Sequence, residues 1–437
     1  MNRFIKTLIT NNPQITSYYT RIDFFMDRRE PDFVDECYAD KDLSQLQKLT
    51  LVIPTYNRNY YLSRCLWYHA HFPFGEIIVA DSSPEEKKAV NRETVAKIRS
   101  IFSANIRYLE YEPETDKYGG DIYRKWSDAV QHVETKYSII CIDKAFLTPT
   151  WLIKAIASLE DNPEFISAYG DSYNIRSREN PLSKKSYFLS QNHLKASKIT
   201  LETPHERLSY VFKDLKWDSN QLFNITRSNI HKKIHNNIQK YQISDVRYGE
   251  LILGIAGCMY GKIQFVSGVK FVRDVSEIAK QRADKRQNSS ESSDSRYPYF
   301  IVLSKISSNF YDSFISCINR ELKELGQPNT DVNFQDIVSG FDNREGSKSY
   351  RLLRKHPHLS HIWFNYVPYV LQNTILSVVK VLAPNLPRPA PSIHARQNSE
   401  FAVITQVISD TSSCHGTDTS ILDSKICYNL DGNKTVR

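Results

Sequence analysis

The sequence predicts an α/β fold with a mixed, mostly parallel sheet, helices on both of its faces, and a helical region after it. Leu49 to Ile53 is a short apolar run that ends at Pro54, and Ile77 to Ala80 is a second run that ends on Asp81. Between these runs, residues 59 to 72 place apolar side chains at helical spacing. A strand, a helix and a second strand within about thirty residues predict a right-handed crossover that joins two parallel strands.

The same alternation continues along the chain. Ser83 is a candidate cap for the next helix, Pro84 suits its first turn, and Glu86 would complete a capping box, so a helix is expected to run to Phe102. The elements expected after it are a strand at Ile106 to Tyr111, a helix at Ile122 to Val133, a strand at Ser138 to Ile142, a helix capped by Thr148 with Pro149 at its first position, and a strand at Phe165 to Tyr169.

The second half of this region is less regular. Residues 176 to 197 are polar and predict an irregular loop. The elements expected after the loop are a helix at His205 to Leu215, an extended segment at Gln221 to Ile225, a helix at Val246 to Tyr260, and a strand at Ile263 to Val272.

Composition and charge narrow the class of protein. The chain has 437 residues, enough for two or three domains, and its 41% hydrophobic and 24% charged residues are typical of a globular protein. The net charge of +8 suits an anionic ligand, such as a nucleotide diphosphate, or an anionic membrane surface. This excess is too dilute to predict nucleic-acid binding, and no arginine-rich segment supports it.

Seven scattered cysteines, none in a CxxC pair, favour a reducing compartment and therefore a cytoplasmic location. The N-terminal apolar run is too short for a signal peptide, and no run of eighteen apolar residues predicts a membrane span. Composition divides the chain into an N-terminal extension (1–48), the α/β domain (49–275), a polar linker (276–297), a helical C-terminal region (298–383), and a proline-rich linker with a weakly structured tail (384–437).

The segment from His361 to Ala383 is apolar and aromatic, yet it contains a proline and several polar residues. Its basic flanks suit a helix that lies in a membrane interface, which would make the protein peripheral on the cytoplasmic face. The alternative is a buried helix of a C-terminal lobe. Its first histidine and the nearby His356 and His358 do not follow a zinc-ligand spacing, so a basic patch is the preferred interpretation.

Two motifs at the predicted strand ends carry a resemblance to a known family. Val52 to Arg58 reads VIPTYNR, and Ile77 to Ser83 reads IIVADSS. In this order and at this separation, the motifs resemble the opening of family-2 glycosyltransferases with the GT-A fold, which is Rossmann-like. The likeness covers about residues 49 to 274. The alternative interpretation is an ordinary strand-to-helix turn in some other α/β protein.

The resemblance implies a nucleotide-sugar donor, with a UDP-sugar as the expected one, and assigns residues to bind it. Asp81 is expected to contact the nucleobase at the end of the second strand. The other residues expected to bind the donor are Pro54, Thr55, Asn57, Arg58, Lys125, Asp143 and Arg273. For Lys125 and Arg273, a solvated surface position is the open alternative.

The chain departs from the family pattern at the acidic cluster that holds Mg²⁺ or Mn²⁺. Only Asp143 keeps a carboxylate, because Lys144 and Ala145 stand where further aspartates are expected. One carboxylate beside an ammonium is a poor cage for a hard cation. Either Lys144 replaces part of the metal's role by placing a fixed cation against the diphosphate, or the metal site has decayed and the domain no longer catalyses. A solvated loop lysine is the simpler alternative.

The resemblance places the general base in the segment from Ser244 to Leu251, which reads SDVRYGEL. Glu250 is the first candidate and Asp245 the second. The two acids are about 140° apart on a helix, so they serve one proton only if Asp245 precedes the helix. A capping Asp245 and a surface Glu250 are the alternatives.

These features lead to one main hypothesis and two others. The main one is an inverting glycosyltransferase that moves a sugar to a glycan or lipid-linked acceptor in the synthesis of a cell-surface polysaccharide. The second is a catalytically inactive GT-A domain that binds nucleotide, glycan or a partner protein. The third, a nucleotidyltransferase or another nucleotide binder, has little support, since the chain has no Walker loop and no GxGxxG motif.

Overall fold

A computed structural model describes residues 37–113, 122–180, 183–192, 199–213, 222–241, 246–275 and 308–327, together with Glu400, Ile404 and Val407. Its strands are β1 (Leu49–Thr55), β2 (Glu76–Asp81), β3 (Ile106–Glu110), β4 (Tyr137–Ile140), β5 (Ala145–Leu147), β6 (Phe165–Asn180), β7 (Ser183–Asn192), β8 (Ile225–Arg227) and β9 (Lys262–Asp274).

Eight α-helices lie in the described part of the chain. They are α1 (Asn59–Ala70), α2 (Glu85–Phe102), α3 (Ile122–Gln131), α4 (Pro149–Asp161), α5 (Pro204–Lys213), α6 (Ser228–Tyr241), α7 (Val246–Tyr260) and α8 (Ser308–Glu324). The predicted α/β class is therefore confirmed. Helix α6 and the strands β5 and β7 were not among the predicted elements, and β6 continues well past its expected end at Tyr169. The other boundaries described within the α/β domain lie within a few residues of those expected, as is usual for helix and strand ends.

The described strands form one mixed sheet in the order β3-β2-β1-β4-β8-β6-β9-β5, with β7 paired to β6. β3, β2, β1 and β4 run parallel, and so do β6 and β9, whereas β8, β5 and β7 join antiparallel. Every residue of β1 and β2 is buried. Strands that are buried on both faces are the ones that read as continuous apolar runs, so the strongest sequence patterns mark the centre of the parallel half.

The prediction of an irregular loop from 176 to 197 is wrong for the part that the structure describes. β6 continues to Asn180, and β7 returns beside it as a hairpin with Ser172 opposite Asn192. Cross-strand pairing satisfies the backbone N–H and C=O groups whatever the side chains are. Polar side chains on this hairpin therefore hid a strand pair from pattern reading.

The side-chain cap predicted for α2 is not found in the structure. The helix begins at Glu85 and has no side-chain cap, because the Ser83 hydroxyl accepts a hydrogen bond from the backbone N–H of Asn57 instead. Glu85 and Glu86 still lie in the first turn, where the helix dipole favours negative charge. Ser83 thus ties the end of β2 to the turn after β1.

Three residues near the C-terminus pack against the α/β domain. Ile404 and Val407 are buried in its hydrophobic core. The Glu400 carboxylate, itself buried, accepts a hydrogen bond of 2.9 Å from the backbone N–H of Thr150 in the first turn of α4. Thr148 at the N-cap forms no side-chain capping bond, and its hydroxyl donates to the carbonyl of Val269. A carboxylate 250 residues away therefore caps α4.

Among the described residues, no helix is long and apolar enough to cross a bilayer. The segment from His361 to Ala383 lies outside the described residues, as does the polar linker, 276–297. The interfacial helix and the linker therefore stay predictions.

Candidate active site

The carboxyl ends of the parallel strands bring the predicted donor-binding residues together. Thr55, the last residue of β1, lies opposite Asp81, the last residue of β2. After β4 ends, the N–H of Cys141 still bonds to the carbonyl of Val52 in β1, which holds Asp143 beside the same edge. Ligands of open α/β sheets bind in the crevice at this edge, where the strand order reverses. The sequence motifs therefore meet in space as predicted.

Asp143 lies at the centre of this edge and is 1% exposed. Its two oxygens accept separate bonds, one of 3.0 Å from the Thr55 hydroxyl and one of 3.3 Å from the guanidinium of Arg58. Burial raises the pKa of Asp143, whereas Arg58 and Thr55 act in the opposite direction. The Arg58 side chain is half exposed, so its guanidinium is the member of this pair that a ligand in the crevice can reach.

Asp81 is fully buried and accepts three hydrogen bonds. The donors are the backbone N–H of Ser83 at 2.7 Å, the amide of Asn91 at 2.6 Å, and the hydroxyl of Tyr108. Burial and the bond to Asp81 raise the pKa of Tyr108, which keeps its proton on the phenol. These donors occupy three of the roughly four acceptor positions of the carboxylate, and Oδ1, which accepts only from Ser83, retains the fourth.

Lys125 projects from α3 onto the ends of β1 and β2. Its ammonium is buried and donates to the carbonyl of Thr55 at 3.0 Å and to the hydroxyl of Ser82 at 2.7 Å. The surface alternative for Lys125 is therefore excluded, and its contact with the donor stays a prediction. A buried cation here adds positive potential to the crevice without being mobile.

The turn after β1 has a special backbone. Pro54 is buried within β1, and Asn57 adopts a left-handed conformation with φ of 53°. Asparagine tolerates this region better than most residues, because its short polar side chain forms local hydrogen bonds. The turn points the chain into α1 with Arg58 at its start. Pro54 and Asn57 therefore shape the rim of the crevice.

Lys144 is 4% exposed, and its ammonium lies 4.3 Å from the ring centroid of Tyr61 in α1. The negative face of an aromatic ring attracts a cation at this distance. The surface alternative for Lys144 is thus excluded.

Nearby, Arg273 lies opposite Ala145 in the β5–β9 pair, and its guanidinium donates to the side-chain carbonyl of Asn174 at 3.1 Å.

Two charged residues of this edge were not predicted. Arg64 in α1 and Asp274 at the end of β9 form a buried ion pair with a distance of 3.0 Å. The only sequence feature that could have indicated Arg64 is its place at helical spacing among apolar residues, Leu62 and Cys65 to Leu66, on the inner side of α1. Asp274 follows an alternating strand and reads there as an ordinary strand-end residue. Their partnership depends on the fold.

The predicted general bases are only partly described. Glu250 lies in the first turns of α7, and its side chain is outside the described part of the structure, while Asp245 lies outside the described residues altogether. Their neighbour Gly249 is buried against Tyr123 of α3, so α7 packs on the helix that carries Lys125. The assignments of Glu250 and Asp245 stay predictions.

The charges at this edge do not balance. Glu110, which ends β3 at this edge, is neutralised by Arg92 and is set aside. We define the strand-end cluster as the eight other charged residues described above, namely Arg58, Arg64, Lys125, Lys144, Arg273, Asp81, Asp143 and Asp274. Five are cationic and three anionic, so this described set carries a surplus of two positive charges. An excess of fixed cations in a crevice favours an anionic ligand such as a diphosphate.

The same residues fit a hard metal ion poorly. Asp143 is the one carboxylate of the predicted acidic cluster, and both of its oxygens are already bound by Thr55 and Arg58. The ammonium of Lys144 adds a like charge next to any cation that would bind there. Mg²⁺ and Mn²⁺ require several oxygen ligands, so this arrangement does not supply a site for them.

Three residues with soft ligand atoms, Cys65, His69 and Cys141, lie within 4.8 Å of one another in the core. Both ring nitrogens of His69 already form hydrogen bonds with backbone groups. Nδ1 of His69 bonds the carbonyl of Cys65 at 2.8 Å, and Nε2 accepts from the N–H of Leu147 at 3.2 Å. Burial raises the pKa of Cys65, which opposes a metal-binding thiolate. We interpret the group as a packed hydrogen-bonded cluster.

No protein-family model and no curated protein sequence matches this chain. Solved structures resemble it at low identity. S. aureus TarS is 14% identical with a TM-score of 0.35, over 64% of this chain and 49% of that chain. S. aureus TarS 1-349 in complex with UDP-GlcNAc is 15% identical with a TM-score of 0.40, over 84% of this chain and 91% of that chain.

A third similar structure is the mannosyltransferase PcManGT from Pyrobaculum calidifontis in complex with GDP-Man and Mn²⁺. It is 11% identical with a TM-score of 0.35, over 83% of this chain and 87% of that chain. This chain spans about half the length of the first TarS structure. The described residues form a mixed α/β fold, as set out above. All three TM-scores are below 0.5, so the activity is inferred below from the residues of this chain alone.

Proposed function

We propose that this protein is an inverting glycosyltransferase that moves a sugar from a nucleotide-diphosphate donor to a glycan or lipid-linked acceptor. The observation that carries the proposal is the surplus of fixed cations in the strand-end cluster. A departing nucleoside diphosphate gains negative charge, and preorganised cations stabilise that charge without needing to reorganise. A UDP-sugar is the donor we expect.

The proposed reaction uses the residues of this edge in separate roles. The acceptor hydroxyl oxygen attacks the anomeric carbon while the bond from that carbon to the diphosphate oxygen breaks, so the sugar changes configuration. Glu250 takes the proton of the acceptor hydroxyl, with Asp245 as the second candidate. Lys144 and Arg58 bind the diphosphate and stabilise its developing charge. No step requires a metal ion.

The nucleoside is assigned to the ends of β1 and β2. Thr55, Asn57 and Asp81 line the edges of these strands, and the buried network around Asp81 keeps the carboxylate in a fixed position. Arg58 would exchange its bond with Asp143 for a phosphate oxygen, which is a stronger hydrogen-bond partner when bidentate. Arg273 and Lys125 contribute charge from either side of the crevice.

The second candidate function is a catalytically inactive domain that binds nucleotide, glycan or a partner protein. The occupied carboxylate of Asp143 favours this candidate, because a metal-dependent relative would need it free. The enzyme and an inactive domain of the nucleotide-binding kind both predict nucleotide binding. Only the enzyme predicts release of nucleotide diphosphate in the presence of an acceptor.

The test is a panel of UDP- and GDP-sugars, with and without glycan acceptors, measured by release of nucleotide diphosphate in EDTA and in added Mn²⁺. We expect turnover that EDTA does not abolish. Glu250→Gln should lose transfer while it keeps donor binding, because it removes a base without changing shape. Binding without turnover under all these conditions would instead establish the inactive domain.

A further inference from the structure

Helix α1 packs against the segment that carries Lys144. The thiol of Cys65 donates to the carbonyl of Ala145 at 3.6 Å, and the hydroxyl of Tyr68 donates to the carbonyl of Leu147 at 3.0 Å. Residues at 61, 64, 65 and 68 share one face of a helix, because they are three or four positions apart. One face of α1 therefore contacts the backbone on the C-terminal side of Lys144.

Arg64 occupies the middle of this face and is joined to the strand-end cluster through Asp274. Its side chain is 1% exposed and donates to Asp274 at 3.0 Å. The backbone N–H of Asp274 in turn bonds to the carbonyl of Lys144 at 2.9 Å. Arg64 is thus linked to the backbone of Lys144 through a single intervening residue.

A second link joins the two side chains through Tyr61. The guanidinium carbon of Arg64 lies 5.1 Å from the centroid of the Tyr61 ring, and the ammonium of Lys144 lies 4.3 Å from the same centroid. The Arg64 guanidinium also lies 5.2 Å from the ring of Phe146, on the other side of Lys144 in sequence. The two cations thus share one aromatic partner, which fixes the ammonium of Lys144 in relation to Arg64.

We propose that Arg64 is the positioning residue for Lys144, and this inference rests on the proposed function of Lys144 as the cation that binds the diphosphate. Arg64 holds the backbone of Lys144 through Asp274 and its ammonium through Tyr61. Arg64 is 1% exposed and its guanidinium is paired with Asp274, so apart from its charge it acts on the donor through Lys144. It also neutralises Asp274, a carboxylate that would otherwise stand uncompensated beside the site.

Replacing Arg64 should affect the affinities for the two parts of the donor differently. Loss of Arg64 should loosen Lys144 and weaken binding of the diphosphate group, whereas the nucleoside, bound at the ends of β1 and β2, should keep its affinity. A role limited to stability would lower both affinities together or neither. A displacement of about 1 Å at a catalytic group costs roughly 10²-fold in rate, so kcat should fall on that scale in an active enzyme.

The experiment compares the wild type with Arg64→Lys and Asp274→Asn, which keep charge and shape respectively. Lysine labelled with ¹³C at Cε is followed by NMR, with Lys144→Arg to assign the resonance of Lys144. We expect both variants to move this resonance, since the ring current of Tyr61 depends on position. For Arg64→Lys, which leaves the net charge of the cluster unchanged, calorimetry with inorganic pyrophosphate should show at least tenfold weaker binding, and calorimetry with uridine should show no change.

The control is Arg92→Lys, because Arg92 also pairs with carboxylates, Glu85 and Glu110, but lies exposed on α2. It should leave the Lys144 resonance and both affinities unchanged. If Arg64→Lys or Asp274→Asn is too unstable to study, Arg64→Gln keeps a donor toward Asp274 but removes the guanidinium beside the Tyr61 ring, and it should move the same resonance.

Folded variants that leave the Lys144 resonance in place would overturn the inference, even in an active enzyme. A moved resonance with equal losses of pyrophosphate and uridine affinity would overturn it as well. Failure of the proposed function looks different, since the wild type would then bind neither probe and turn over no donor, while the NMR comparison would still report on the link between Arg64 and Lys144.

Discussion

Asp81 concentrates three hydrogen bonds on one buried carboxylate, so its replacement has two separable effects. Asp81→Ala strands the hydroxyl of Tyr108 and the amide of Asn91, and it removes the proposed contact with the nucleoside. We expect nucleotide affinity to fall by about 1–3 kcal/mol, the cost of leaving buried polar groups unpaired. Calorimetry with UDP on the folded variant measures this, with Tm to report the stability loss.

A matched control for this change is Asp128→Ala, which removes a carboxylate that accepts from Tyr111 but is half exposed. It repeats the loss of a tyrosine–aspartate bond away from the strand ends. Unchanged UDP affinity in folded Asp81→Ala, or an equal loss in both variants, would contradict the assignment of Asp81.

Lys144 is the residue on which the proposed catalysis depends most. Lys144→Ala should lower kcat by about 10²-fold or more, the scale seen when one preorganised contact to a developing charge is removed. The fold should survive, since the side chain contacts the Tyr61 ring without being part of the hydrophobic core. Steady-state kinetics in EDTA measure the effect. Lys154→Ala, on the exposed face of α4, is the control, and equal rates for the two variants would refute the role of Lys144.

At the scale of elements, α7 is held against α3 by a glycine. A Cβ at Gly249 would lie 2.1 Å from the ring of Tyr123, so Gly249→Ala forces the two helices apart. We expect a loss of about 1–3 kcal/mol in the free energy of unfolding, as for overpacked cores. Transfer activity should fall as well, because Gly249 directly precedes Glu250. Urea denaturation and initial rates measure the two effects.

The same helix supplies the control. At Gly257, an added Cβ would meet only Ile263 at 3.4 Å, an ordinary contact, so Gly257→Ala should be neutral or slightly stabilising through helix propensity. Equal destabilisation by both substitutions would show that glycine flexibility, and not the approach to Tyr123, matters in α7.

For the whole molecule, two histidines buried beneath the sheet predict how stability depends on pH. His231 and His235 of α6 bond the hydroxyls of Ser138 and Ser127, and their rings lie 4.8 Å apart beside a cavity of about 20 Å³. Burial lowers the pKa of His231 to about 4 and that of His235 well below its usual value. Both are therefore neutral in the folded protein at pH 7.

Unfolding exposes these histidines, whose pKa then returns to about 6.5. The unfolded state binds more protons between pH 6.5 and 4, so stability should fall as the pH falls through this window, by about 3 kcal/mol for His231 alone. Urea denaturation from pH 7.5 to 4.5 measures the slope. His235→Gln should flatten it, whereas His132→Gln, which is exposed, should not. A slope unaffected by His235→Gln would contradict this account.

The sequence predicted correctly those elements whose side chains form a clear apolar run or a helical periodicity. β1 and β2 are buried on every residue and read as apolar runs, and α7 begins and ends where its periodicity predicts. The β6–β7 hairpin escaped prediction because backbone pairing, which leaves no mark on side chains, holds its polar strands together. Glu400 escaped for a similar reason, since a helix cap supplied from 250 residues away has no local pattern.

The sequence by itself determined the α/β class, the two strand-end motifs and the single carboxylate of the acidic cluster, because each depends on residues that are neighbours along the chain. Only the tertiary structure decided what those residues contact. In the folded chain, Asp143 accepts hydrogen bonds from Thr55 and Arg58. Arg64 pairs with Asp274, which lies 210 residues after it in the sequence. Hydrogen bonds and charges act over a few ångströms in space, whatever the separation in sequence, so such partners become visible only once the chain has folded.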